Sequence, residues 1–198
     1  MLKKKKSIGA FKVGEYAVFP IHGVALISDI TETTVTGNTI ECMKLDFERK
    51  SISIFLPEKK IELVGLRHLV NKTEADKILN VLKETSKFLR VIWNRRSKEY
   101  ESKIQSGSIN SCAEVVRDLY KNTNNPNRSY TEAVIYEEAL YRITSELAIV
   151  QKKDYSEVEK EIKNNDPNVA AQPTLDGILK IENLLRNPNG FSVSSSLA

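Results

Sequence analysis

Between Phe11 and Val70 apolar residues come in short, β-branched runs separated by turn signals at spacings too tight for helices, which predicts strands. Tyr16–Phe19 stops at Pro20, and Gly23–Thr31 follows. Thr36-Gly37-Asn38 is a turn, Ile40–Phe47 returns, and Arg49-Lys50 turns into Ser51–Leu56. In that last run Ile52, Ile54 and Leu56 alternate with Ser51, Ser53 and Phe55, so one set faces a core and the other faces out. Phe55 is then a large aromatic on the wet side, either half-buried by a curled edge or offered to a partner. Short strands with tight turns predict an SH3-like or Tudor-like barrel.

After Arg67-His68-Leu69-Val70 the period changes to that of helices, predicted over 73–83, 86–105, 109–122, 129–153 and 154–163. Asn71 or Thr73 can cap the first, and Thr73 with Asp76 makes a loose capping pattern. Ala113/Val116/Leu119/Tyr120 and Ala133/Tyr136/Leu140/Ile143/Leu147/Val150 repeat at helical spacing. Asn122–Asn127, with its Asn-Pro step, ends the third helix. Short connections make the helices a compact bundle. The fold class expected is α+β: an N-terminal barrel over 11–70, then a C-terminal helical bundle over 71–165. A flexible basic tail (1–10) precedes them, and a mostly flexible, Pro- and Ser-rich tail (166–198) follows.

The net charge of +4 is modest, but it is unevenly spread. Ser86–Arg128 holds nine Lys/Arg (87, 90, 95, 96, 98, 103, 117, 121, 128) against four Asp/Glu (99, 101, 114, 118). Residues 11–70 are near neutral, and Ser129–Asp166 is acidic. Such asymmetry points to a patch that faces a polyanion.

Catalysis finds little support. There is no Gly-rich phosphate loop and no HExxH, GxSxG or DxDxDG motif. His22 in a turn and His68 at the barrel's end read as structural. Glu137-Glu138 and Asp154/Glu157/Glu161 read as solvated helix faces. Cys42 and Cys112 are two distant cysteines without CxxC spacing, more suited to buried positions in a reducing compartment than to a disulfide or a zinc site. No apolar run approaches the roughly 18 residues of a membrane span, and Met1–Lys6 lacks the apolar core of a secretory signal. The expectation is a cytoplasmic, non-enzymatic protein with no cofactor, no metal and no small-molecule substrate.

Five stretches in series carry a resemblance: Phe11-Lys12-Val13-Gly14-Glu15, Val18-Phe19-Pro20-Ile21-His22-Gly23-Val24, Val64-Gly65-Leu66-Arg67, Trp93-Asn94-Arg95-Arg96 and Ala113-Glu114-Val115-Val116-Arg117-Asp118-Leu119-Tyr120. In order and spacing, from about Phe11 to Lys163, they resemble the CarD/CdnL family of bacterial RNA polymerase-binding transcription regulators. The barrel start and VGLR would alone also suit the polymerase-interaction domain of transcription-repair coupling factors. The resemblance implies a Tudor-like domain that docks on the polymerase β subunit, and a helical domain that contacts promoter DNA without reading its sequence. It implies that Trp93 wedges into the minor groove at the edge of the melted region, with Arg95, Arg96 and Lys98 on phosphates. It places the polymerase contacts at Thr33, Ser51, Ser53 and Phe55, although some relatives carry an arginine at the Phe55 position. By periodicity alone Trp93 also aligns with Tyr100 and Ile104, which leaves open a non-catalytic protein- or RNA-binding adaptor with the tryptophan in its core.

Overall fold

A computed structural model describes residues 7–35, 38–86, 92–120 and 129–164, without the side chains of 33–39. Strands β3 (Tyr16–Phe19), β4 (Gly23–Val35), β5 (Asn38–Phe47), β6 (Ile52–Pro57) and β7 (Arg67–His68) form one antiparallel sheet in the order β6-β5-β4-β3-β7. The sheet is open, with β6 and β7 at its edges. Alternation builds its core: Ile27, Met43, Leu45 and Leu56 are buried, joined by Phe19 and Phe47. The predicted second strand runs past Thr31 to Val35; of the turn expected at 36–38, Asn38 already begins β5, and 36 and 37 lie outside the described residues. Ser7–Ile8 (β1) pairs with Phe11–Lys12 (β2), and Ile8 is buried, so part of the segment expected to be a flexible tail belongs to the sheet core.

Among the described residues five helices follow: α1 (Lys72–Lys83), α2 (Trp93–Gln105), α3 (Ile109–Tyr120), α4 (Tyr130–Gln151) and α5 (Tyr155–Asn164). Asn71, rather than Thr73, caps α1: its side chain accepts from the Glu74 N–H while the Glu74 carboxylate accepts from the Asn71 N–H. These two bonds occupy donors that the helix itself leaves unpaired. The helices pack on a second core around Ile78, Leu119, Tyr136, Leu140, Ile143 and Leu147. Both cysteines are buried, as expected.

The largest departure from the sequence-based expectation concerns the helix predicted from residue 86. Ser86 and Ile92 are not helical, 87–91 lie outside the described residues, and α2 starts at Trp93 behind an extended Ile92 (φ −54°, ψ 136°) that is 79% exposed. Phe88, Val91 and Ile92 read as one apolar stripe in the sequence, but Ile92 faces solvent.

Candidate functional surfaces and the junction between them

The two halves meet through side chains to which the sequence reading gave no structural role. Arg67, on β7, forks onto Glu146 of α4 (Nη1 to Oε1 2.7 Å, Nη2 to Oε2 2.8 Å) and also donates to the Gly107 carbonyl (2.8 and 3.0 Å). Glu146 is nearly sealed from solvent and accepts a third bond, from the Val70 N–H at 3.0 Å. One turn earlier on α4, Arg142 donates to the carbonyls of Pro20, Ile21 and Ile104 and pairs with Glu138. A charge this far from water is tolerable because nearly every donor has an acceptor. Gly107 completes the fit: its φ is +73°, and a Cβ there would lie 2.8 Å from the Pro20 Cβ, so only glycine admits the loop. The motifs Phe19-Pro20-Ile21-His22-Gly23 and Val64-Gly65-Leu66-Arg67 thus supply the joint between sheet and helices.

His22 packs against Phe19 and Phe47, with ring centroids 5.4 and 5.3 Å away. Its Nδ1 is buried and finds no hydrogen-bond partner among the described residues. Burial, with Lys50 and Arg142 nearby, pushes its pKa down, and Glu138 opposes the shift. His68 stacks on Phe11 at 4.3 Å. The Cys112 thiol is driven up to about 11 by burial, so it stays protonated and a poor nucleophile. Among the described residues no group of three or more His, Cys, Asp or Glu side chains could hold a metal ion, and no helix is long and apolar enough to cross a membrane.

The first outward surface is the β6 edge. Phe55 is 59% exposed, in register with Lys44 of β5, while its neighbour Leu56 is buried against Met43. Ser53 lies opposite Asp46 and donates to its carboxylate, which Lys44 also pairs at 3.4 Å. Hydrogen bonds from the Ser28 hydroxyl and then the Ser53 hydroxyl hold the Asp46 pKa below its usual value. Ser51 takes a positive φ of 49° in the turn before β6. Thr33 pairs with Ile40 further along the β4–β5 ribbon, and its side chain lies outside the described residues.

The second surface is the start of α2. Among the described residues no side chain caps this helix and no acid stands in its first turn, so its positive dipole end favours an anion. Trp93 is half-buried at the rim of the helical core. Its ring is tilted 52° against Tyr100 at 6.5 Å, and the Arg96 guanidinium lies over both rings, 5.4 and 5.7 Å from their centroids. Arg95 and Lys98 are exposed. The rest of the basic stretch is less available than its count implies. Arg117 is buried, bonded to Asp118 and Glu84. Lys103 is held by Glu114 at 2.9 Å: burial alone would lower its pKa, but Glu114 and Glu99 outweigh that and raise it. Lys87, Arg90, Lys121 and Arg128 lie outside the described residues.

Comparison with known proteins agrees with this two-part layout. Residues 11–70 match the family described as the CarD-like/TRCF RID domain, and residues 77–163 match the CarD C-terminal domain. The chain belongs to the CarD family. A CarD-family relative is the Bacillus subtilis (strain 168) protein named "Putative transcription factor YdeB", 24% identical over 154 residues that span 78% of this chain and 98% of the relative. The matched residues include both halves of the joint, Pro20 and Arg67 in the first CarD domain and Gly107, Arg142 and Glu146 in the second.

Proposed function

We propose that this transcription regulator binds RNA polymerase through residues 11–70, on the β subunit, and contacts promoter DNA through residues 71–165. In this reading Ser51, Ser53 and Phe55 on and beside the β6 edge, with Thr33 further along the ribbon, meet the polymerase. An edge strand offers unpaired backbone groups whatever its side chains, so the absence of an arginine at Phe55 does not disable it. Phe55 brings apolar area to the same place.

The observation that carries the DNA half is the make-up of the α2 start. An indole braced from behind by Tyr100 and Arg96 stands beside the exposed Ile92, on a helix end where the described residues place no side-chain cap and no first-turn acid, with Arg95 and Lys98 exposed. An apolar prow inserts at low cost where base pairs are already parting, and the cations hold the flanking phosphates without reading sequence. Better binding to the melted than to the closed promoter shifts the balance by that difference and no more. A wedge and a few phosphate contacts supply about 1–3 kcal/mol, roughly 5–150-fold. Trp93→Ala is expected to leave polymerase affinity unchanged and to shorten the lifetime of the open complex, measured by challenge with competitor DNA. An unchanged lifetime would refute the wedge.

The half-burial of Trp93 favours a second reading, an adaptor in which the indole serves only the helical core. Salt separates the two. DNA affinity of the full chain should fall steeply between low and physiological salt if several phosphates are engaged, and flat or absent binding favours the adaptor.

A further inference from the structure

A cleft of about 610 Å³ opens between the sheet and α4. Its apolar walls are Val24 and Leu26 on one side and Ala148 and Ile149 on the other, with the rings of Tyr16, Tyr141 and Tyr155 among them. Its charged lining comprises three carboxylates, Asp46, Glu48 and Glu137, and one guanidinium, that of Arg49. Arg49 is already engaged: it bonds Glu138 at 3.1 Å and lies 4.1 Å over the Tyr141 ring. Glu48 and Glu137 are exposed. A recess with apolar walls, tyrosine faces and a surplus of carboxylates suits a segment that combines aliphatic side chains with ammonium groups.

The chain holds such a segment within reach. Residues 1–6 read Met-Leu-Lys-Lys-Lys-Lys and lie outside the described residues. Ser7, where the described chain begins, pairs with Lys12, whose carbonyl accepts from the Glu15 N–H at 3.2 Å, and Tyr16 on the cleft wall follows. Counted along these rungs Ser7 stands roughly 16 Å or less from Tyr16, and six extended residues span about 20 Å. We infer that residues 1–6 dock in this cleft, with Met1 and Leu2 against Val24, Leu26, Ala148 and Ile149, and with Lys3–Lys6 facing Asp46, Glu48 and Glu137. The docked segment touches both halves of the molecule and so bridges them a second time, on a face other than the Arg67–Glu146 joint. Lysines held there are withheld from other anions.

The test compares amide NMR spectra of the full chain with those of a chain lacking residues 1–6. The expected result is a set of shifts at Tyr16, Leu26, Tyr141, Ser145, Ala148 and Ile149 that does not depend on protein concentration. Replacing Lys3–Lys6 by Gln, or making Glu48→Gln with Glu137→Gln, should reproduce most of them without deleting anything. A synthetic peptide of residues 1–7, at millimolar concentration, should reverse them in the truncated chain. Cleft amides that ignore the deletion overturn the proposal. So do shifts that grow with protein concentration, which place the segment on a second copy, and shifts that vanish only when residues 165–198 are removed, which give the cleft to the other end of the chain.

Discussion

The joint and the α2 start are both built from arginines and rings, yet they leave opposite amounts of chemistry unspent. At the joint Arg67 and Arg142 direct nearly all their donors at carbonyls and carboxylates, most of them in the other half. At the α2 start Arg95 and Lys98 are exposed, no described side chain caps the helix, and a half-buried indole sits beside an exposed isoleucine. Positive charge therefore marks two different tasks in one chain. Satisfied and buried, it fixes geometry. Unsatisfied and beside apolar surface, it is available to a partner.

The sharpest way to break this contrast is at Glu146. Glu146→Ala leaves Arg67 and the Val70 N–H without their acceptor in a nearly dry site and is expected to lower stability by about 3 kcal/mol. Urea denaturation checks this, and a loss under about 1 kcal/mol would mean that the joint is held by other means. Gly107→Ala should cost about 2 kcal/mol by the same assay, since it adds both a disfavoured φ and a collision with Pro20. Phe55→Ser probes the other kind of surface: stability should stay within about 0.5 kcal/mol while polymerase affinity falls about tenfold, read by a pull-down titration.

The smallest effect expected is that of pH. The imidazole of His22 has a lowered pKa in the folded protein, so between that value and about 6.5 the unfolded chain binds more protons. Its contribution is present in full above about pH 6.5 and declines as pH falls through the folded value. Denaturation midpoints between pH 5 and 7.5 should show this slope in the wild-type chain and a flatter one in His22→Gln.

Much of the fold was legible because burial imposes a period. Tyr136, Leu140, Ile143 and Leu147 recur at helical spacing and are all buried in α4, and Met43, Leu45 and Phe47 alternate as a one-sided strand must. Two things left no such trace. The start of α2 was hidden because Ile92 carries an apolar side chain on an extended, exposed backbone, which continues a helical pattern on paper. The joint was hidden because bonds between distant elements have no sequence period. Arg142 and Glu146, one turn apart, entered the sequence reading only as charges of the acidic stretch Ser129–Asp166. For the surfaces themselves, periodicity distinguished the outward Phe55 from the inward Leu56, but Ile52, expected on the core side, is 39% exposed at the start of the edge strand. The count of basic residues could not tell that Arg117 is spent inside the helical core, because charge totals carry no information about depth.

The spread of the joint along the chain bears on how the protein is made. Pro20, Ile21 and Arg67 emerge from the ribosome well before Arg142 and Glu146 exist. Until α4 is synthesised, the amino-terminal sheet carries carbonyls without donors and a guanidinium without its carboxylate. A nascent chain stalled before α4 thus shows water, or a chaperone, a polar scar that the finished protein never displays.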